Sequence, residues 1–274
     1  MFVEDEKYAE DVAQLLQELY RRTGADYRNY SPTFLGRRFA AILRKNGFSC
    51  VSEMEEVLFQ SDHYMHELLD ALSLPTTRMF RDAHVFQSLR KKVIPELSQS
   101  RLEKVWSAGC STGEEAYTLS IIFKEELPDR KVITFATDHN ERSLHTARKG
   151  IYPLRRMRLY TSAYLDAGGI YDFSRYYFAD SENAVMLDDL KRNLVFALHN
   201  LVTDATFNEF DLILCRNVLI YFNRQLQLQV LNLLFQSLRA GGILILGDKE
   251  SLKSMMPERS YEEVDRFSRI FRKL

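Results

Sequence analysis

The stretch from Lys104 to Ser120, KVWSAGCSTGEEAYTLS, decides how this chain is read. A short apolar run enters a turn carrying Gly109 and Gly113, and the turn enters an amphipathic segment that begins at Glu114. Strand, glycine turn and helix in that order bring backbone close to a ligand at the carboxyl end of a strand, where open α/β sheets bind nucleotide-like molecules. The third glycine of a dinucleotide fingerprint is absent, and no lysine stands where a phosphate-binding loop needs one. Glu114 and Glu115 disfavour a pyrophosphate and suit a ligand with a cationic or hydroxyl-bearing end. Adjacent helical residues point about 100° apart, so one of the two faces the ligand. The other is accounted for by the favourable field at a helix amino terminus.

Downstream, KVITFATD ends a second strand at Asp138. A carboxylate there accepts hydrogen bonds from both ribose hydroxyls. Joined to a turn that disfavours phosphates, it indicates an adenosine ligand without phosphates, with S-adenosylmethionine the obvious candidate. A helix around ERSLHTARKG follows. A second set then runs NLVFALHNL, FDLILCRNVLIYF, the helix QLQLQVLNLLFQSLRAGG, the strand GGILILGD and a terminal SRIFRKL. Strands alternating with helices predict a mostly parallel sheet covered on both faces. The irregular stretch of roughly forty residues from Gly150 to Lys191 is too long for a connection and reads as an inserted subdomain or flap.

Upstream, from Ala9 to about Leu74, apolar residues recur at helical spacing, as in Val12, Leu15, Leu16 and Leu19. Gly24 and Gly47 stand where helices stop, and Ser31-Pro32 is a helix-start signal. Arg37, Arg38, Arg44 and Lys45 share much of one face of the helix between them. That pattern is read either as a solvated face or as a docking face.

The 274 residues are 46% hydrophobic, with 37 Lys+Arg against 38 Asp+Glu and a formal net charge of -1. This balance argues against a broad nucleic-acid surface. No apolar run approaches the roughly 18 to 20 residues of a membrane span, and the acidic start lacks signal-peptide order, so a cytoplasmic protein is expected. Cys50, Cys110 and Cys215 are too widely spaced for a disulfide framework or zinc site and read as free thiols. His63 and His66 read as a surface pair, Cys110 as a small loop residue, and Ser111 lacks the nucleophile elbow of a hydrolase. No metal is expected.

VWSAGCSTGEEAYTLS, the FATD of the second strand, LCRNVLIYF and the PTTRMFRD segment ahead of them, in that chain order, resemble the CheR-type chemotaxis receptor glutamate methyltransferases. The resemblance covers nearly the whole chain. It implies an N-terminal helical domain over 1–74 and a linker with a first helix over 75–100. A methyltransferase domain over 101–274 follows, with a small inserted β-subdomain at about 152–195. The implied fold is α/β, a class I S-adenosylmethionine-dependent methyltransferase sheet, Rossmann-like, with its last strand antiparallel. The implied reaction is methyl transfer from S-adenosylmethionine to receptor glutamate side chains, leaving S-adenosylhomocysteine. The implied partner is the cytoplasmic helical region of membrane chemoreceptors, engaged by a monomer through Arg37, Arg38 and Arg44.

Carried over by motif position, Thr77 and Arg81 contact the cofactor, with Arg81 beside the reacting centre. Gly109 lies in the cofactor turn, Glu115 takes the amino acid end and Asp138 the ribose. Asn200 and Leu201 flank adenine, Arg216 and Asn217 follow the fourth strand, and Tyr221 stands near the transferred methyl. Three positions depart from the family. Pro75 replaces an asparagine, GDKES stands for Gly-His-Ser-Glu, and the ADSENAV loop lacks the glycines of members that bind a receptor-tail pentapeptide. The first two motivate a rival reading, a non-catalytic S-adenosylmethionine-binding signalling adaptor. The third argues against tail docking.

Overall fold

In the computed structural model, residues 6–73, 77–100 and 102–274 are described. The chain divides into two compact units. One is the helical head with Ile220–Gln229, and the other is the remaining α/β body.

The head holds helices α1 (Glu6–Thr23), α2 (Pro32–Asn46), α3 (Val51–Leu58) and α4 (Asp62–Ser73). The periodic residues Val12, Leu15, Leu16 and Leu19 are all buried, as are Leu35, Phe39, Ile42 and Leu43 of α2. Gly47 closes α2 in the left-handed conformation (φ 75°) and returns its amide to the Leu43 carbonyl, a conformation that glycine adopts without steric cost. The Ser31 side chain makes no capping bond. Its backbone amide donates instead to the Tyr221 carbonyl at 2.7 Å, which ties Ile220–Gln229 to this unit and moves that segment out of the body expected over 101–274.

The body is a seven-stranded sheet in the order β6-β2-β1-β7-β8-β10-β9. Its strands are β1 (Lys104–Ala108), β2 (Ile133–Asp138), β6 (Leu194–Leu198), β7 (Phe210–Cys215), β8 (Leu238–Leu246), β9 (Tyr261–Asp265) and β10 (Ile270–Lys273). Neighbours from β6 to β8 are parallel, and β10 runs antiparallel to β8 and β9. Every residue of β7 is buried, as a central strand covered on both faces requires. Its one acid, Asp211, accepts the Glu103 and Lys104 amides and the Arg239 guanidinium. A helix interrupted by a π-helical stretch, α5 (Ala83–Ser88) through α6 (Ile94–Ser100), precedes β1, while α7 (Glu114–Glu126) and α8 (Glu141–Lys149) follow β1 and β2.

Two boundaries differ from expectation. A short α10 (Asp188–Lys191) precedes β6, and the helix α11 (Arg224–Ser237) stops before LRAGG, which enters β8 through a register shift. Gly241 has φ 71°, and a Cβ on Gly242 would lie 2.9 Å from the Arg239 carbonyl, so the strand can carry only glycine there. The inserted segment ends before β6, which belongs to the main sheet, and not at 195. The insert itself is a three-stranded antiparallel sheet of β3 (Ile151–Pro153), β5 (Asn183–Met186) and β4 (Tyr177–Ala179), with α9 (Met157–Asp166). Buried Tyr152, Tyr160, Tyr164, Phe173 and Tyr176 form its core. Glu125 of α7 accepts the hydroxyls of Tyr164 and Tyr176 and pairs with Arg90, which fixes the insert to the sheet's helical layer. The glycine-free turn closes on Asp180, whose Oδ1 accepts the Glu182 and Asn183 amides. No residue of that turn needs a positive φ.

His63 and His66 are exposed, and no metal-binding cluster of His, Cys, Asp or Glu occurs among the described residues. No helix there is long and apolar enough to cross a membrane.

Candidate functional site

The chain leaves β1 toward β2 and β6, then returns to β7 on the other side of β1. This reversal opens a crevice at the carboxyl ends of β1 and β7, the place where such sheets bind ligands. Most of the expected cofactor residues stand around it.

The turn after β1 is held by the Gly109 and Cys110 amides, which both donate to the Thr137 carbonyl at the end of β2. Gly109, Ser111 and Gly113 all have positive φ. A Cβ on Gly109 would fall 2.6 Å from a Val218 methyl, and one on Gly113 2.7 Å from the Ala147 Cβ. Packing of the protein itself therefore demands these glycines, and they report no phosphate.

Asp138, 8% exposed, accepts the Ser111 amide on Oδ2 at 2.8 Å and the Asn140 amide on Oδ1 at 2.9 Å. Oδ1 also has His139 Nδ1 at 3.5 Å, while Oδ2 keeps lone-pair capacity for a further donor such as a ribose hydroxyl. The Asp138 carbonyl accepts the His199 amide at 3.1 Å, so Asn200 and Leu201 are placed from the same strand end. Asn200 spends its backbone amide on Asp204 and its side-chain oxygen on Val202. Its side-chain NH2 remains a donor beside the apolar, buried Leu201. A polar edge and an apolar surface together fit adenine.

The two adjacent glutamates separate. Glu114 is 0% exposed. It accepts the Thr112 hydroxyl at 2.6 Å, and Arg156 and Tyr160 approach at 3.3 Å. Burial raises its pKa above the usual carboxylate range, with the Thr112 bond opposing. Glu115 accepts the Ser107 hydroxyl at 2.8 Å and the Arg216 guanidinium at 3.2 Å. The two carboxyls thus have separate partners, as residues about 100° apart on a helix allow.

Arg216 is held in buried ion pairs. Its side chain is 1% exposed and engaged inside the protein, donating to Asp82 at 2.8 Å, to the Arg81 carbonyl at 3.0 Å and to Glu115. Its effect is to join the linker to Glu115. The linker is sharply shaped there: Phe80 and Asp82, on either side of Arg81, have φ of 52° and 57°, each costing about 1 to 2 kcal/mol. The Phe80 amide bonded to Thr118 and its ring packed on Phe86, Tyr164 and Phe173 hold that conformation. Thr77 is half-buried in the preceding coil, and Pro75 lies outside the described residues.

Asn217 also takes positive φ, 59°, and donates its amide to Glu250 at 3.0 Å, as does Gly247 at 2.6 Å. Glu250 is buried and pins together the ends of β7 and β8. It is the last residue of Gly247-Asp-Lys-Glu, so the segment keeps the glutamate of Gly-His-Ser-Glu and departs only in the middle pair. Sequence reading missed this, along with Asp82 and Ser107. The signal for Glu250 was there, because register from Gly247 places it.

Tyr221 and the basic residues of α2 belong to the head unit. The Tyr221 ring packs on Phe34 with centroids 4.9 Å apart. Arg37 and Arg44 are exposed, Arg38 lies over Phe34, and Lys45 pairs with Glu67.

Comparison with known proteins gives two matches that together span most of the chain. The model of the CheR methyltransferase SAM-binding domain matches residues 75–267, and that of the CheR methyltransferase all-alpha domain matches residues 10–73. A protein named putative methyltransferase Cher3, from Pseudomonas putida KT2440, is 41% identical over 263 residues, covering 96% of each chain. A chemotaxis protein methyltransferase of Listeria innocua is 30% identical, covering 85% of this chain and 86% of its own. One of Borreliella burgdorferi is 27% identical over 89% of each.

Proposed function

The chain belongs to the CheR methyltransferase family and is an S-adenosylmethionine-dependent methyltransferase, and from that premise we propose that it methylates glutamate side chains of chemoreceptors in sensory adaptation. The observation that carries the reading is the pair of carboxylates at the end of β2 and the start of α7. Asp138 keeps acceptor capacity for a ribose hydroxyl, and Glu115 stands on the same crevice with Arg216 behind it.

Asp138 holds the ribose, Asn200 and Leu201 the adenine, and Glu115 the cationic amino group. When bound, S-adenosylmethionine supplies an electrophilic methyl group on a positively charged sulfur. The substrate glutamate is ionised at neutral pH, given an ordinary pKa of about 4.3, so no side chain has to remove a proton. Its oxygen gains the methyl as the carbon–sulfur bond breaks, and both charges vanish together. Positioning and exclusion of water therefore carry the catalysis. Arg81 orients the carboxylate and Tyr221 shapes the methyl end. The exposed Arg37 and Arg44, with Arg38, receive the acidic helical region of the receptor. The glycine-free Asp180 turn supports docking that needs no receptor tail.

The test is incubation with radiolabelled S-adenosylmethionine and chemoreceptor-containing membranes. Label on the receptor that is released as methanol by mild base is the expected result. Base-stable label, or none alongside normal cofactor binding, would refute the glutamate ester reading.

A further inference from the structure

The turn that carries Ser111 is braced from the inserted subdomain. Gly150 closes α8 at φ 63° and returns its amide to the Thr146 carbonyl. Two residues later, in β3, Tyr152 is 2% exposed and pairs with Ala184 of β5. Its ring stands near-perpendicular to those of Tyr117 and Tyr160, with centroids 6.0 and 6.5 Å away. A ring packed on two sides has its hydroxyl aimed by that packing. The hydroxyl donates to the Thr112 carbonyl at 2.8 Å, and a Cβ on Gly113 would fall 3.3 Å from the same oxygen. The Thr112 side chain is engaged from the insert as well, because it donates to Glu114, which Arg156 and Tyr160 approach.

Thr112 stands between Ser111 and Gly113, which have φ of 51° and 92°. Glycine takes such a conformation freely, but a serine there is sterically disfavoured and persists only where its surroundings over-determine it. One constraint is the Ser111 amide on Asp138 Oδ2 at 2.8 Å. The Tyr152 bond to the next carbonyl is another, and it comes from outside the turn. We propose that Tyr152 is a positioning residue for cofactor binding: by anchoring the Thr112 carbonyl it holds the Ser111 amide on Asp138, and so keeps that carboxylate in place for the ribose. The insert then serves the S-adenosylmethionine side of the enzyme. The inference rests on the reading of Asp138 as the ribose acceptor, and every contact in it lies within the α/β body.

The experiment measures S-adenosylhomocysteine binding by calorimetry on the full chain for Tyr152→Phe, Tyr176→Phe, Asp138→Ala and the double variant Tyr152→Phe/Asp138→Ala. Loss of one hydrogen bond corresponds to about two- to tenfold in affinity. Tyr152→Phe is expected to weaken binding by that factor. Tyr176→Phe removes an insert hydroxyl that bonds to Glu125 and not to the turn, and it keeps wild-type affinity. In the double variant the Tyr152 substitution adds no loss, because its route to the ligand runs through Asp138. Hydrogen exchange of residues 109–113 in the ligand-free protein gives a reading independent of the cofactor: faster in Tyr152→Phe, at the wild-type rate in Tyr176→Phe. Wild-type affinity or unchanged exchange in Tyr152→Phe, equal losses of affinity in the two tyrosine variants, or additive losses in the double variant would overturn the inference while leaving the Asp138 reading intact. Wild-type affinity in Asp138→Ala overturns that reading, and the inference with it.

Discussion

The strand ends of the body and the basic face of the head hold their charges in opposite ways. Around the crevice, Asp138, Glu114, Glu115, Arg216 and Glu250 are each bound by amides, hydroxyls or counter-charges before any ligand arrives. On α2, Arg37 and Arg44 face solvent. The first arrangement preorganises a small molecule, with little ordering left to be lost on binding. The second, under the proposed reading, acts by long-range attraction and is screened by salt. Substitutions in the crevice should therefore alter stability and cofactor affinity, and substitutions on α2 the encounter with substrate.

The comparison is tested most severely at Arg216. Arg216→Met keeps much of the volume but leaves Asp82 and Glu115 without their shared cation. Breaking such a pair from one side costs about 3 kcal/mol or more, to be read as a lowered urea midpoint. A midpoint within error of wild type would mean that the guanidinium does not join the linker to the sheet. Next in size is Asp138→Ala, which removes the proposed ribose acceptor. S-adenosylhomocysteine binding by calorimetry should weaken by about 1 to 3 kcal/mol. Unchanged affinity would take Asp138 out of the site.

On the head, the double reversal Arg37→Glu/Arg38→Glu should reduce receptor methylation several-fold at low ionic strength. The deficit should shrink toward about 1 M salt, where screening acts within about 3 Å, and cofactor affinity should stay constant. A deficit independent of salt would show that the substitution damages the fold and not an electrostatic encounter.

The smallest effect concerns Glu114. Its pKa is raised in the folded state by burial, so the stability linked to it is complete below its unfolded pKa and lost as pH rises through the folded value. Glu114→Gln, which keeps an acceptor for Thr112 without a charge, should melt above wild type at neutral pH. It should converge with wild type below about pH 4. Parallel melting curves across that range would place a compensated charge at 114.

The layout of the body was legible because its signals are local. Central strands read as apolar runs, and the glycine turn and Asp138 fall at strand ends fixed by those runs. β9 was not read as a strand: YEEVD is an edge strand paired only with β10, and its acids need no burial pattern. The LRAGG boundary failed because helical periodicity continued past Ser237, while Leu238 already pairs with Phe210 in the sheet. Motif position put Asp138 at the end of β2 and Glu115 at the start of α7, where they stand. The meeting of Arg216 with Asp82 was not legible, since Asp82 is distant in sequence and their contact is a product of the sheet's topology. Tyr221 read as a continuation of LCRNVLIYF, yet tertiary contacts with Ser31 and Phe34 assign it to the head.

The three thiols are also unequal. Cys110 and Cys215 are buried, and burial with neighbouring carboxylates pushes both well above the ordinary thiol range. Cys50, just ahead of α3 in the head, is exposed. Thiolate is the reactive form, so the native protein should accept one maleimide at neutral pH and three after unfolding. A fluorophore placed there without mutagenesis would report on the unit bearing the basic face, so that receptor encounter and methyl transfer could be followed separately in one sample.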